Sequence, residues 1–288
     1  MPNRAITRPL LLTAVAAGLA IAGARAGLDR QAAIARRRIG KPLGEDAVDA
    51  DRVWRAGQPG DPVDLLLVGD SIAAGLGATR RKDTLGGRLA KALAGHLGRP
   101  VRLRTAAVVG AESSDLAAQL DGLPRDYRPD VVVIIVGGND VTHRVPVAAA
   151  TAALRAAIDR MRGVGAAVVV GTCPDLGALR AVPQPLRGIG SRLSRQLAEA
   201  QAAQASQAGA RVVSLRRAVG PFFHIDPDGM FSLDRFHPSA LGYRRTAEAL
   251  LPAVVDALSD GRGDAAAPGS PRRPGAHRHP PAPTATAG

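Results

Sequence analysis

Residues 130–140, "DVVVIIVGGND", contain the most strongly strand-like run in this chain of 288 residues. Its six consecutive Val and Ile residues predict a strand that is buried on both faces. Four other apolar runs are also typical of strands: "VDLLLVG" (63–69), "VRLRTAAVV" (101–109), "AAVVVGT" (166–172) and "ARVVSL" (210–215). The five runs together predict five strands of one sheet.

Helical patterns follow the predicted strands, so the chain alternates between the two kinds of element. The patterns occupy residues 84–97, 113–123, 147–163, 187–209 and 239–258. Apolar strands that alternate with helices predict a parallel sheet covered by helices on both faces, which is an α/β fold. Sheets of this kind carry their sites at the carboxyl ends of the strands, so we expect the functional residues directly after the strands.

The chain is basic, with a net charge of +13, but the charge is unevenly distributed. Residues 1–60 hold ten Lys and Arg against five Asp and Glu, and residues 261–288 hold four against one. Aromatic residues make up 2% of the chain, which leaves few side chains for stacking on bases. We therefore expect no nucleic-acid partner. The single cysteine, Cys173, excludes an internal disulfide and is expected to serve packing.

The first 26 residues combine a short basic start with the uncharged apolar stretch "PLLLTAVAAGLAIAGA" (9–24). This pattern is typical of a signal peptide and also of a short membrane anchor. Residues 27–62 are predicted to be a basic helix and a linker, residues 63–260 the folded domain, and residues 261–288 a disordered tail rich in Pro, Ala and Arg. We expect membrane association or export through the N-terminal segment, with the side of the membrane left open.

Residues suited to acyl transfer follow the predicted strands. Gly69, Asp70 and Ser71 follow the first strand, Gly110 follows the second, and Asn139 follows the third. A serine can attack an ester carbonyl, while backbone N–H groups and an asparagine amide can stabilise the oxyanion that develops. Each of these residues is common in turns, and only their joint occurrence at strand ends indicates a site.

The stretch "FSLDRFHPSALGY" (231–243) supplies the base that such a site needs. Asp234 and His237 stand three residues apart, and Pro238 disfavours helical geometry at His237 while suiting the first position of the helix that follows. The pair is therefore predicted to lie on a turn. There the carboxylate can bond the near ring nitrogen and leave the far nitrogen to accept a proton.

These residues resemble the SGNH (GDSL-type) hydrolase family in four separated blocks: "VGDSIAAG", the region of Gly110, "GGND" and "DRFHPSALGY". The resemblance implies a three-layer α/β/α sandwich of the flavodoxin-like type and ester hydrolysis without a metal or cofactor. It also implies a catalytic triad of Ser71, Asp234 and His237, with an oxyanion hole formed by the Ser71 N–H, the Gly110 N–H and the Asn139 side chain. The chain departs from the second block, because Ala-Ala-Val-Val precedes Gly110 where family members often carry an asparagine.

Two other functions stay open at the level of sequence. Asp70, Asp140 and Asp175 all follow strands and could hold magnesium in a metal-dependent phosphohydrolase, although loop and capping roles are the expectation. A non-catalytic binding module on the same fold is the other alternative. A general α/β-hydrolase is excluded, since Ala73 occupies the last position of the Gly-x-Ser-x-Gly elbow.

All four phenylalanines lie within the fifteen residues before His237. Phe222 and Phe236 are expected to anchor this long loop on the sheet, whereas Phe223 and Phe231 are expected to line an apolar pocket for the acyl group. The expected substrate is a small-molecule or lipid ester. The natural ester and the oligomeric state stay open.

Overall fold

The protein is described by a computed structural model that covers residues 4–42 and 44–265. At its centre lies a six-stranded sheet in the order β1-β3-β2-β4-β5-β6. The strands are Arg52–Trp54 (β1), Val63–Gly69 (β2), Val101–Thr105 (β3), Val131–Ile135 (β4), Ala167–Gly171 (β5) and Arg211–Val213 (β6). Strands β2 to β6 run parallel, which confirms the five predicted strands.

The sixth strand, β1, lies in a segment that was predicted to be a linker. It pairs antiparallel with β3, with Arg52 opposite Leu103. Trp54 packs against the buried core and donates its indole N–H to the Ala50 carbonyl at 3.2 Å. Three residues are too few to show an alternating strand pattern. The strand is stabilised by its pairing at the sheet edge and by the contacts of Trp54.

Helices cover both faces of the sheet. They are Arg4–Ile39 (α1), Ser71–Ala74 (α2), Leu85–Leu97 (α3), Leu116–Asp121 (α4), Gly138–His143 (α5), Val147–Gly163 (α6), Leu186–Gln207 (α7), Leu215–Ala218 (α8), Gly220–Ile225 (α9), Pro227–Met230 (α10) and Ala240–Ala265 (α11). Helices α3 and α11 share one buried core with the sheet, and α4, α6 and α7 share the other. The fold is therefore the predicted three-layer sandwich.

The two cores arise from alternation along the buried strands. In β4, Val131, Val133 and Ile135 belong to the core beneath α3 and α11, whereas Val132 and Ile134 belong to the opposite core. The order of the parallel strands, β3-β2-β4-β5-β6, is that of flavodoxin-like folds. In such folds ligands bind where the strand order reverses, which is beside the end of β2.

Helix α1 runs without a break from Arg4 to Ile39, through the boundary predicted at residue 26. Within the described residues, the structure contains no helix that combines the length and the apolar composition of a bilayer-spanning segment. A spanning anchor is not supported, and the signal peptide stays a prediction. Helix α11 extends to Ala265, five residues past the predicted domain end, and residues 266–288 of the predicted tail lie outside the described residues.

Candidate active site

Ser71 stands at the sharp turn between β2 and α2. Gly69 ends the strand with φ of +134°, and a Cβ there would lie 1.8 Å from the carbonyl oxygen of Ile135 on β4, so only glycine fits. Asp70 caps α2, because its Oδ1 accepts the N–H of Ile72 at 3.0 Å. The turn places Ser71 at the first helical position, at the carboxyl edge of the sheet.

A line of hydrogen bonds links Ser71 to the loop before α11. His237 Nε2 lies 2.9 Å from Ser71 Oγ, and His237 Nδ1 lies 2.6 Å from Asp234 Oδ2. The structure therefore brings together the three residues predicted to form a triad, with the imidazole between the hydroxyl and the carboxylate. A carboxylate at Nδ1 favours the tautomer that carries its proton there, which leaves Nε2 to accept one from Ser71.

The Asp234 carboxylate accepts several hydrogen bonds in addition to its contact with the His237 ring. Its Oδ1 accepts three further bonds, from the Ser232 hydroxyl at 2.8 Å and from the N–H groups of Phe236 and His237, each at 2.9 Å. Burial by itself would raise the pKa of Asp234. The bonds from His237, Phe236 and Ser232 outweigh burial and lower the pKa to about 2, so the imidazole faces a fixed anion.

The loop that carries His237 approaches Ser71 closely because a glycine stands where the two segments meet. Gly77 has φ of +105°, and a Cβ there would lie 2.5 Å from the Pro238 carbonyl oxygen and 3.0 Å from His237 Cβ. The loop is closed by a bond from the Ser232 N–H to the His237 carbonyl at 2.8 Å. Any larger residue at position 77 would push the imidazole away from the serine.

Helix α11 fixes the spacing between the turn that follows α2 and the loop that carries His237. Tyr243, which is fully buried, donates its hydroxyl proton to the Leu76 carbonyl at 2.5 Å, in the turn that follows α2. The Ser239 hydroxyl accepts two N–H groups of the first turn of α11, at 3.1 and 3.2 Å, and so caps the helix. The helix thus begins at Ala240, one residue after the predicted start at Ser239, which is its cap.

Of the two other residues predicted for an oxyanion hole, Asn139 is among the residues that line the cleft and Gly110 is not. Asn139, in the first turn of α5, lines the cleft beside Ser71, and its Nδ2 donates to the Ala111 carbonyl at 2.9 Å. An amide nitrogen carries two protons, so one is left for a ligand. Gly110 lies on an exposed turn with φ of +85° and is joined to the site through its neighbour Ala111.

Comparison with known proteins identifies the family of this chain. A sequence profile of the GDSL-like lipase/acylhydrolase family matches residues 67–245. The chain belongs to this family. It is also 38% identical over 287 residues to a GDSL-like esterase from Mycobacterium tuberculosis, an alignment that covers 96% of this chain and 90% of that protein. The predicted resemblance is confirmed, and the chain is a carboxylic ester hydrolase.

Two solved structures show how far the fold of this GDSL-like hydrolase is shared. TesA superposes with a TM-score of 0.54 at 28% identity, over 67% of this chain and 99% of that one. Axe2, an acetylxylan esterase from Geobacillus stearothermophilus, superposes with a TM-score of 0.53 at 20% identity, over 68% of this chain and 95% of that one. The likeness confirms the α/β/α fold class, and β1 makes the sheet one strand larger than predicted.

Each of the three aspartates considered for a metal site is held by hydrogen bonds in this family member. Asp70 is engaged as the cap of α2. Asp140 accepts the Ser113 N–H at 3.1 Å, and Asp175 Oδ1 accepts the Ser191 hydroxyl at 2.8 Å. Within the described part of the chain, no group of three or more His, Cys, Asp or Glu is arranged to hold a metal ion. The contacts of all three aspartates fit capping and loop-bonding roles.

Asp70, which directly precedes Ser71, has a raised pKa. The residue is 2% exposed, and its burial raises the pKa to about 6. Hydrogen bonds from the N–H groups of Ile72 and Gly138, together with the charge of His237, oppose this rise without cancelling it. Ionisation of Asp70 therefore lowers the stability of the folded protein.

A narrow pocket of about 70 Å³ opens beside Ser71. Phe223 and Phe231 line it, and their ring centres lie 4.8 Å apart with the planes tilted by 59°. Leu215 and Val219 extend the same apolar wall. Phe223 and Phe231 thus lie where their predicted contact with the acyl group requires, and that contact stays a prediction.

The two phenylalanines expected to anchor the loop have other surroundings. Phe236 also lines the pocket, and its ring meets the imidazole of His237 edge to face, with 4.8 Å between the ring centres. Phe222 is 41% exposed, and the guanidinium of Arg245 lies 5.0 Å from its ring centre. The expected anchoring role is therefore wrong for Phe222, which packs against a surface arginine of α11.

Two buried glutamines that the sequence analysis missed hold the strand ends in place. Gln119 in α4 accepts the N–H of Gly69 at 2.9 Å and donates to its carbonyl at 2.8 Å. Gln201 in α7 accepts the N–H of Cys173 at 2.7 Å and donates to the Val136 carbonyl at 2.9 Å. A glutamine on the apolar face of a predicted helix is the signal that could have identified them, because a buried amide needs partners.

Proposed function

We propose that the chain hydrolyses carboxylic esters through an acyl-enzyme on Ser71, with His237 as the general base and Asp234 as the residue that orients it. The proposal rests on the continuous line of hydrogen bonds from Asp234 through His237 to Ser71, at 2.6 and 2.9 Å. A nucleophile in contact with a base, with the base held by a third group, is the arrangement that activates a serine.

In the first step, Ser71 Oγ attacks the ester carbonyl carbon while its proton moves to His237 Nε2. The tetrahedral intermediate collapses, the bond to the alcohol oxygen breaks, and the imidazolium gives its proton to that leaving oxygen. A water molecule then attacks the acyl-enzyme, with His237 again accepting and returning a proton, and the carboxylic acid leaves. Asp234, held anionic by its low pKa of about 2, stabilises the imidazolium in both steps.

The oxyanion of each intermediate is proposed to receive bonds from the Ser71 N–H, the Gly110 N–H and the Asn139 amide. Ser71 is the first residue of α2, and N–H groups in a first helical turn have no partner within their helix. The bond from Asn139 to the Ala111 carbonyl ties the amide to the turn that contains Gly110. This bond supports a joint role for the two residues, because it couples their positions.

The acyl group is proposed to lie against Phe223 and Phe231. Both rings line the pocket beside Ser71, and apolar walls with few polar groups are usual in ligand sites. With a volume of about 70 Å³, this pocket holds only part of an ester. Acyl lipids, acetylated sugars and small esters all present a group that it could receive.

The substitution Ser71→Ala tests the mechanism. On p-nitrophenyl acetate, kcat should fall about 10⁵–10⁶-fold, as expected when the nucleophile of a triad is removed. Thermal unfolding should stay close to that of the wild type, because only one oxygen is lost. Ser206→Ala, on the exposed side of α7, is the matched control and should keep wild-type turnover.

Labelling separates the alternatives to this proposal. A fluorophosphonate probe should add one label to the wild-type protein by intact mass, and none to Ser71→Ala. No labelling of the folded wild-type protein, together with no esterase activity, would assign the fold to a non-catalytic binding module. Turnover that survives Ser71→Ala but disappears on chelation would instead favour a metal-dependent reaction.

A further inference from the structure

The N-terminal helix α1 forms one wall of a second cavity, which we name the α1 chamber. It has a volume of about 610 Å³ and lies between α1, α5 and the first turns of α7. Leu28, Ala32, Ala35 and Ile39 line it from α1, at intervals of four, three and four residues, so they share one face of the helix. The apolar face of α1 is thus turned toward the catalytic end of the sheet.

The α1 chamber adjoins the pocket of Ser71. Leu176, Leu179 and Phe236 line both cavities. Phe236 directly precedes His237, and its ring contacts the imidazole edge to face. The two cavities therefore meet at these three side chains, beside the imidazole.

Specific contacts hold α1 in this position. Gln31 Oε1 accepts the N–H of Leu186, the first residue of α7, at 3.0 Å. Ala35 is 6% exposed, which shows that the face of α1 is packed rather than free. The family profile begins at residue 67, so this wall is contributed by a part of the chain outside the region that defines the family.

We propose that the α1 chamber binds the alcohol portion of the ester, in the form of an extended alkyl group. The inference rests on the proposed function, because it places the ester at Ser71. Small-molecule sites typically occupy about 300–1,000 Å³. The pocket of Ser71, at about 70 Å³, is far below this range, and the chamber, at about 610 Å³, lies within it.

The chemistry of the leaving group selects the alcohol rather than the acyl portion. His237 must return its proton to the leaving oxygen, so the alcohol lies on the imidazole side of the site, where Phe236 borders the chamber. The acyl group then remains with Phe223 and Phe231. Twelve of the 21 residues that line the chamber are apolar, among them Ile189 and Leu193, and six are charged or titratable. The apolar majority favours an alkyl group.

The substitution Ala32→Trp tests the inference by filling the chamber. Two substrate series separate the two ends of the ester: acetate esters of ethanol, hexanol and decanol, and ethyl esters of acetic, hexanoic and decanoic acid. The preference in kcat/KM for decyl over ethyl acetate should fall about tenfold, because apolar contact is lost from the long alcohol. The acyl series should change less than about twofold. Ala26→Trp, on an exposed position of the same helix, is the matched control and should leave both series unchanged.

Three outcomes would overturn the inference: an unchanged alcohol series, a change confined to the acyl series, or an equal loss on every ester. Ala32→Leu fills less space and replaces the tryptophan variant if thermal melting shows that the latter is unfolded. Ser71→Ala, assayed on the same esters, distinguishes the two levels of the proposal. If Ser71→Ala stays active, the proposed function fails; if it is inactive and the chamber variants have no effect, only the assignment of the chamber fails.

Discussion

The two halves of the active site are built in different ways. The half that contains Ser71 consists of regular elements, the ends of β2 and β4 and the starts of α2 and α5. The other half is the irregular loop of residues 231–238, which carries His237. Asp70 in the first half and Asp234 in the second are both buried, and the pKa values of these two residues shift in opposite directions.

Burial raises the pKa of both carboxylates, but Asp70 is the more deeply buried of the two and Asp234 accepts more hydrogen bonds. Asp70 accepts bonds from two N–H groups, burial prevails, and the pKa is about 6. Asp234 accepts four bonds, from the His237 ring and the three donors at Oδ1, and the pKa is about 2. In the loop, the hydrogen bonds that Asp234 accepts from Ser232, Phe236 and His237 hold the backbone in place. In the other half, regular strands and helices do this.

Of the substitutions that compare the two halves, Asp234→Asn should have the largest effect and should lower kcat about 10⁴-fold. The amide keeps the shape of the carboxylate but stabilises the wrong imidazole tautomer and carries no charge. Asp234 should also contribute to stability. Its folded pKa lies below the ordinary value of 3.8, so stabilisation of about 2 kcal/mol is present above that pH and is lost as the pH falls toward 2.

Steady-state kinetics with an acetyl ester and urea unfolding between pH 2 and 7 measure these two effects. Asp228→Asn is the matched control, because Asp228 is an exposed aspartate of the same segment. If Asp234→Asn were as active as Asp228→Asn, the loop carboxylate would have no role in orienting His237. If its stability differed from the wild type equally at pH 2 and pH 7, the low pKa would be wrong.

Asn139→Ala tests the regular half of the site and should have the next largest effect. Loss of one oxyanion donor is expected to lower kcat about 10²–10³-fold with little change in KM, because the bond forms with the intermediate. Gln196→Ala is the matched control, since it removes an exposed amide side chain from α7. A rise in KM at constant kcat would show instead that Asn139 binds the substrate in its ground state.

Sequence predicts the regular half of the molecule well, because burial and periodicity are local properties. The run of Val and Ile from 131 to 136 and the helix at 147–163 are examples, and the helix has the predicted bounds. Strand β1 was missed because three residues, Arg52–Trp54, carry no period. Its formation depends on an edge of β3 that is 47 residues away in sequence, between Trp54 and Val101.

The active site, like the sheet, can be predicted from local sequence only in part. The types and order of Ser71, Asp234 and His237 indicate a triad, and the fold places the three side chains in contact. The distance of Gly110 from the cleft depends on the turn geometry after β3, which no local pattern specifies. The α1 chamber arises from the docking of a helix more than 100 residues away from α7, so it could be found only in three dimensions.

Phe231→Ala tests whether the loop that carries His237 also selects the substrate. Removal of a ring that contacts the acyl chain is expected to lower the preference for octanoyl over acetyl esters about tenfold, with acetyl turnover barely affected. The ratio of kcat/KM values for the two p-nitrophenyl esters measures this. Phe222→Ala, which truncates the exposed ring of the same segment, is the control. An equal loss on both esters would assign Phe231 to the core.

Asp70→Asn should change turnover by less than about tenfold and should have the opposite effect on stability to that of Asp234→Asn. Asparagine caps a helix as well as aspartate does and removes a charge that burial disfavours. The folded pKa of about 6 exceeds the ordinary value of 3.8, so wild-type stability falls as the pH rises from 3.8 through 6. The variant should therefore be more stable than the wild type by about 1–3 kcal/mol at pH 8, and this gain should vanish near pH 3. Urea unfolding at the two pH values measures the gain, and a variant less stable at pH 8 would show that the ionised carboxylate stabilises the turn at Ser71.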